Sequence, residues 1–400
     1  MPLELRRKQL MANYWVNLKG HRANHPTREV LQDSWENEKS ASEHFAKVGN
    51  KIAKELSIEG LQISPPVVYP EEAPWRLVCP RVDMSLLEIK RTGKKTVDLL
   101  SAFSYLISQE YQDFVQVYTD GAKNPDTGAT GFGVAVPGKG VGIYRRTGDG
   151  LGMYTVEMVA VLVALKWVEI TAQKKTVICS DSASVLESFT SFHSNSRQDI
   201  LYQVLHTFTR IHRKGGQVTF FWVPAHVGLQ GNERADKLAK RALKANRVEM
   251  QVSISKAEVK SVIKGKIYGK WQNMWDRESR GRHLYQIQQD VRTARVAGKG
   301  RREEIVMTRL RIGHSALNKM LKLIGKHNTG LCEECQEEES VEHVIMRCRR
   351  YETQREKMRK GLVEAGVKEL SLKGLLDMSD RSQQRMLLEF LRSTGLLNRI

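Results

Sequence analysis

The run Phe114-Val115-Gln116-Val117-Tyr118-Thr119 leads into Asp120-Gly121 and constrains the rest of the chain. Val115 and Val117 alternate with Gln116 and Tyr118, a period of two that reads as a strand with one apolar face. The strand stops at Asp-Gly, so a hydrophobic run delivers a carboxylate to its own end. Asp-Gly alone is turn chemistry. Three later acids give it another meaning: Glu157 on an apolar helix, Asp181 in Cys179-Ser180-Asp181-Ser182, and Asp236 closing Asn232-Glu233-Arg234-Ala235-Asp236.

Around these acids the spacing predicts five strands. The first covers 113–120. Strands at 131–136 and 142–146 follow, joined at Pro137-Gly138. Gly128, Gly131 and Gly133 never form Gly-x-Gly-x-x-Gly, so they read as hairpin glycines and not as a phosphate loop. Residues 156–170 are apolar nearly all round, which predicts a buried helix with Glu157 near its start. A fourth strand, 176–180, ends at Asp181, and Ser184-x-x-Glu187 reads as a capping box on a short helix. A helix at 200–211 and the Gly215-Gly216 turn lead to a fifth strand, 217–223. Asn232 reads as the N-cap of a helix at 233–244. Strands one, four and five are linked through helices and pair in parallel; strands one to three form an antiparallel meander. The class is α/β, a five-stranded mixed sheet with helices on both faces, flanked by mainly helical N- and C-terminal regions.

Carboxylates at the ends of adjacent parallel strands converge and repel unless a cation lies between them. Mg²⁺ suits such a place, because it takes oxygen ligands and keeps positions open for water and phosphate. The ordered set of Thr119-Asp120-Gly121, Glu157, Asp181-Ser182, His226 and Asn232 to Asp236 resembles a type 1 ribonuclease H domain over 112–246. The resemblance implies a ribonuclease H-like fold and a metal-dependent endonuclease that hydrolyses the RNA strand of RNA/DNA hybrids. Asp120, Glu157, Asp181 and Asp236 would then be the catalytic carboxylates and hold two Mg²⁺ ions (Mn²⁺ being a substitute), with Asp120 bridging them. His226, on the loop ahead of Asp236, would shuttle protons or help release product. Two departures stand out. Met153-Tyr154-Thr155-Val156 precedes Glu157 where cellular members place polar hybrid-contacting residues. The stretch after Glu187 lacks the basic, Trp-bearing protrusion those members carry. Two rival readings are a nucleic-acid-binding protein with a catalytically silent scaffold of this fold, and a DNA-cutting recombinase or integrase of related fold.

The surrounding sequence resembles the C-terminal part of a non-LTR retrotransposon polyprotein, downstream of its reverse transcriptase. It divides into a helical piece at 1–64, a Pro-rich connector at 65–111, the domain at 112–246, and a basic helical region at 247–330. A knuckle-like element at 331–351 and C-terminal helices at 352–400 follow. Five of the ten prolines fall in 65–80, which predicts an extended segment. No Tyr-x-Asp-Asp occurs, so the chain carries no recognisable polymerase site; a reverse transcriptase would be a partner within a longer polyprotein. Ile263, Ile267, Trp271 and Trp275 form a stripe at helical spacing and read as core.

The net charge of +19 points to a polyanionic partner, nucleic acid above all. Residues 247–331 hold 19 lysines and arginines against 7 acids, whereas 112–246 hold 16 against 11. Most of the electrostatic grip therefore lies beyond the candidate catalytic domain. Five cysteines, three of them clustered late, do not make a disulfide framework. Cys332, Cys335, His343 and Cys348 form Cys-x2-Cys-x7-His-x4-Cys, a donor set that suits tetrahedral Zn²⁺ in a structural role. Neither a signal-peptide core at the N-terminus nor an apolar run long enough for a bilayer is present, which predicts an intracellular protein of nucleus or cytoplasm with no membrane partner.

Overall fold

The computed structural model describes residues 1–21, 25–27, 29, 45–64, 72–93, 96–293, 300–367, 370–377 and 381–400. Parts of the expected segments 1–64, 65–111, 247–330 and 352–400 therefore lie outside the described residues, Pro65, Pro66 and Pro70 among them. The chain divides into two compact units. One is 6–264; the other is 265–400 with the first five residues.

The first unit is built on one mixed sheet of β1 (Arg81–Asp83), β2 (Val115–Lys123), β3 (Thr130–Val136), β4 (Val141–Thr147), β5 (Lys175–Ser180) and β6 (Gln217–Trp222). Their order is β1-β6-β5-β2-β3-β4. The first four in that order pair in parallel, and β2-β3-β4 are antiparallel. Five strands are expected from the sequence and the sheet has six. The addition is β1, three residues within the segment read as a connector, which sets Val82 opposite Phe220. So short a piece shows no periodicity of its own; β6 supplies its hydrogen-bond partners.

Helices α1 (Leu3–Lys19), α2 (Phe45–Glu55), α3 (Ser85–Arg91) and α4 (Thr96–Glu110) precede β2. α5 (Met153–Ile170), α6 (Ala183–Ser191), α7 (Gln198–Arg213) and α8 (Gln230–Ala242) lie among the later strands, and α9 (Lys256–Arg277) follows. Helices cover both sheet faces: on β2, Tyr118 meets α8 while Gly121 meets α5. α5 is apolar nearly all round because it lies between the sheet and α7, with Val156, Met158, Val159, Val161 and Leu165 buried.

Close packing on the other face sets the height of α8. A Cβ on Gly133 would overlap the Ala235 carbonyl oxygen and lie 2.6 Å from Ala239 N; one on Gly131 would lie 2.7 Å from Ala242 Cβ. These glycines sit within β3 and admit a helix faced with Ala235, Ala239 and Ala242, a role different from the hairpin one expected. Two capping expectations also change. α6 starts at Ala183 without a side-chain cap, so Ser184 and Glu187 form no capping box. α8 starts at Gln230, which puts Asn232 inside its first turn.

The second unit is helical, with α10 (Arg282–Ile287), α11 (Arg301–Ile312), α12 (Asn318–Leu323), α13 (Glu352–Glu364), α14 (Leu372–Leu376), α15 (Arg381–Ser393) and α16 (Leu396–Arg399). Its core gathers Val306, Leu310, Val344, Ile345, Leu362 and Leu391 together with Cys332 and Cys348. On α9, Ile263 and Ile267 are buried, as core residues should be, while Trp271 and Trp275 are half-buried; Trp275 Nε1 donates to Gln288 O at 3.0 Å.

A methyl group at Gly133 forces α8 off the sheet, so Gly133→Ala should destabilise the protein by about 2 kcal/mol, in the usual range for overpacking. Urea unfolding monitored by circular dichroism checks this. A midpoint equal to wild type would mean that α8 does not need the close approach.

Candidate active site and metal centres

Three elements deliver the central carboxylates. β2 carries Asp120, and its parallel neighbour β5 pairs Ser180 with Thr119, so Asp181 emerges beside Asp120 at the same sheet edge. Glu157 comes from the second turn of α5, directly over Gly121, where a Cβ would lie 3.2 Å from the Glu157 Cδ and Oε1. The glycine of Asp-Gly thus leaves room for the close approach of a second carboxylate. Asp120, Glu157 and Asp181 each offer an oxygen, and these lie within 4.8 Å of one another.

Their environment resists negative charge. Asp120 and Glu157 are 7% and 6% exposed. Burial first, then the charges of Asp181 and Asp236, push the Asp120 carboxyl up from 3.8 to about 7, against the pull of the Gly121 N–H that Asp120 Oδ1 accepts at 2.8 Å. Glu157 is driven well above the usual carboxylate range by burial and by Asp120 and Asp181. Asp181 is also raised by burial, with the Asn232 amide, 3.4 Å from its Oδ2, and the nearby His226 working in the opposite direction. Glu157 Oε2 is buried with no hydrogen-bond partner. Close, buried, mutually repelling carboxylates with an orphaned oxygen are a donor set that fits a hard cation.

Asp236 and His226 stand at the margin of this cluster. Asp236 lies outside the group of three and accepts from Lys240 Nζ at 2.7 Å, one turn along α8. Its charge still raises the Asp120 carboxyl. His226 is exposed on the loop after β6, in a left-handed conformation at φ 55°. Sequence reasoning missed Asn232 as a ligand to Asp181 and Lys240 as a counter-ion to Asp236. The i, i+4 spacing of Asp236 and Lys240 carried the second signal.

In the second unit, Cys332, Cys335, His343 and Cys348 bring their donor atoms within 4.8 Å of one another. The Cys348 Sγ lies 3.8 Å from both Cys332 Sγ and Cys335 Sγ. Thiolates at the corners of a tetrahedron around Zn²⁺ stand roughly 3.8 Å apart, given Zn–S bonds of about 2.3 Å. His343 Nδ1 is 3.1 Å from Glu337 Oε2, and the buried Nε2 has no hydrogen-bond partner, so the imidazole presents a free nitrogen to the thiols. Burial, with Cys332 and Cys335 adding to it, pushes the Cys348 thiol up to about 12. These four residues fit a tetrahedral metal.

A mixed sheet that gathers carboxylates at the ends of its central strands, with helices on both faces, defines the class of α/β nucleases to which ribonucleases H belong. Residues 112–244 match the RNase H family. Ribonuclease H of Pseudomonas entomophila (strain L48) is 30% identical over 149 residues, covering 33% of this chain and 94% of the relative. Ribonuclease H of Pseudomonas putida (strain W619) is 31% identical over 149 residues, with the same two shares. That of Paramagnetospirillum magneticum is 29% identical over 143 residues, 32% of this chain and 89% of the relative. The chain belongs to the ribonuclease H family, and its enzyme class is ribonuclease H.

Two outcomes follow for the carboxylates and the histidine. A carboxyl raised in the folded state holds its proton there, so its contribution to stability is complete below the ordinary carboxylate range and is lost as pH rises toward and past about 7. In metal-free buffer the wild type should therefore weaken between pH 4 and pH 8, and Asp120→Asn should be the more stable protein at pH 8, by on the order of 2 kcal/mol. Urea unfolding with chelator at both pH values measures this; a less stable Asp120→Asn at pH 8 would remove the repulsion argument. His226→Ala, altering an exposed loop group, should slow turnover by about tenfold to a hundredfold while leaving measurable cleavage. Complete inactivation of the folded variant would give His226 a larger part.

Proposed function

We propose that this protein hydrolyses the RNA strand of RNA/DNA hybrids, and that Asp120, Glu157, Asp181 and Asp236 hold two Mg²⁺ ions for it. The observation that carries the reading is the convergence of two buried carboxylates, Asp120 and Glu157, and the half-buried Asp181 within 4.8 Å at one sheet edge. When bound, such ions would activate the attacking water and stabilise the leaving 3′ oxygen of an in-line displacement. Asp120 is central in this arrangement, flanked by Glu157 from α5 and Asp181 from β5, while Asp236 reaches the cluster by releasing Lys240. Asn232 steadies Asp181, and His226 serves proton transfer or product release from its loop.

An open cavity of 440 Å³ lined by Tyr154, Glu187, Ser188, His193 and Asn195 begins one turn before Glu157. Hydroxyls and amides of this kind suit the 2′-hydroxyls by which RNA differs from DNA. The basic stretch 247–331 adds grip on the phosphate backbone, and Zn²⁺ held by Cys332, Cys335, His343 and Cys348 orders the helices around it. Derivation from a non-LTR retrotransposon polyprotein, with a reverse transcriptase as partner, accounts for a nuclease domain followed by a basic region and a Cys-Cys-His-Cys element. Among the described residues no helix is long and apolar enough to cross a membrane.

Labelled RNA/DNA hybrid, duplex DNA and duplex RNA, each incubated with the protein and Mg²⁺, test the reading. Cleavage of the RNA strand of the hybrid alone is expected, and Asp120→Asn should abolish it. Binding without cleavage would point to a silent scaffold, and cleavage of duplex DNA to a recombinase-like enzyme.

A further inference from the structure

α5 starts badly by its own sequence. Its N-cap is Gly152, which offers no side chain, and its first turn contains no acid. The missing cap comes from Glu258, more than a hundred residues downstream and outside the matched domain. Glu258 Oε1 accepts the Gly152 N–H at 2.6 Å and the Thr155 hydroxyl at 2.6 Å. Oε2 accepts the Ser255 N–H at 2.8 Å, while Ser255 Oγ accepts the Glu258 N–H at 3.2 Å. Ser255-x-x-Glu258 is thus a reciprocal capping box at the start of α9, and the same carboxylate caps α5 as well.

This carboxylate sits within a buried lattice. Glu258 is 8% exposed and Arg197 1%. Arg197 Nη1 lies 3.6 Å from Glu258 Oε2, and the same guanidinium donates twice to Asp199, at 3.0 and 2.8 Å. The Arg197 N–H and the Tyr154 hydroxyl both donate to Ser194 Oγ, at 3.1 and 3.0 Å, which closes a circuit through the first turn of α5. Glu258 is itself fixed from both sides. Ile254 forms a parallel bridge with Ile63, donating to Gln62 O at 2.8 Å and accepting from Ser64 N at 2.7 Å. Val259 and Ile263 are fully buried one and two turns beyond Ser255.

We infer that Glu258 is a positioning residue of the nuclease: by holding Gly152 and Thr155 it fixes the turn from which Glu157 reaches Asp120 and Asp181. The inference rests on the proposed hydrolysis. The bridging segment 62–64 and the start of α9 are then parts of the catalytic unit, although both lie outside 112–244. A free end of α5 frays by its first turn, and the Glu157 carboxylate, one turn further on, loses its fixed distance to its two partners. Loose positioning of this kind costs rate and metal affinity while leaving contacts with a long substrate untouched.

The test uses the full chain, with wild-type cleavage of hybrid as the reference. Glu258→Ala should raise the Mg²⁺ concentration for half-maximal activity and lower kcat, each about tenfold, with KM for the hybrid within about twofold. Glu258→Gln keeps one acceptor oxygen and should fall between wild type and alanine. Thr155→Val removes one of the two α5 contacts without a change of volume and should show the same pattern at smaller size, even if the alanine variant fails to fold. Ile52→Ala, a truncation of a buried residue on α2, serves as a control for general destabilisation and should leave the Mg²⁺ dependence unchanged. Wild-type Mg²⁺ dependence and kcat in Glu258→Gln and Thr155→Val, or a shift in Ile52→Ala equal to theirs, would overturn the inference. An inactive wild type would instead overturn the proposed hydrolysis.

Discussion

Like charges held together in a dry place dominate this molecule. Asp120, Glu157 and Asp181 place oxygens within 4.8 Å of one another, and burial already opposes ionisation of each. A fold that forces such groups together without a cation carries a cost that grows with pH, and a fold that supplies one turns the same repulsion into affinity. Much of the surrounding architecture serves to keep these carboxylates from moving apart. The parallel β2–β5 pair fixes Asp120 against Asp181, and α5 brings Glu157 down onto a strand position with no side chain in the way.

Small residues make that geometry reachable. Gly121 admits Glu157, Gly133 and Gly131 admit α8, and Gly231 admits the ring of Tyr118. None of these four has a left-handed backbone; Gly131, Gly133 and Gly231 are required by a neighbour's approach, and Gly121 gives Glu157 room. The second unit solves a related problem with other chemistry. Arg355, 1% exposed, donates to Ile345 O and Cys348 O and so secures the π-helical turn His343–Arg347 that presents His343 and leads to Cys348. A cluster of thiols around an imidazole with one free nitrogen then stands within a core of aliphatic, methionine and aromatic side chains.

The parts of this arrangement that local pattern carries were legible in the sequence. Alternation in 114–119, the apolar run after Glu157 and the spacing of Cys332, Cys335, His343 and Cys348 each depend on neighbours within a few residues or on a regular period. What escaped depends on distant partners. β1 is three residues that become a strand only beside β6. Asn232 has the chemistry of an N-cap, yet α8 begins two residues earlier and the amide turns to Asp181. Ser184 and Glu187 have capping-box spacing but form none, whereas Ser255 and Glu258, with the same spacing, do. Two identical patterns are told apart by burial: the working one is closed in by Gly152, Thr155 and Arg197, which the spacing cannot reveal.

We propose the three carboxylates as the ligands of a divalent cation. Crystals soaked in Mn²⁺, with anomalous diffraction recorded at a wavelength where manganese scatters strongly, test it most directly. An anomalous peak is expected within about 2.5 Å of oxygens from Asp120, Glu157 and Asp181, lost in Asp120→Asn. Manganese bound only elsewhere, with the three carboxylates left unliganded in well-ordered density, would contradict it.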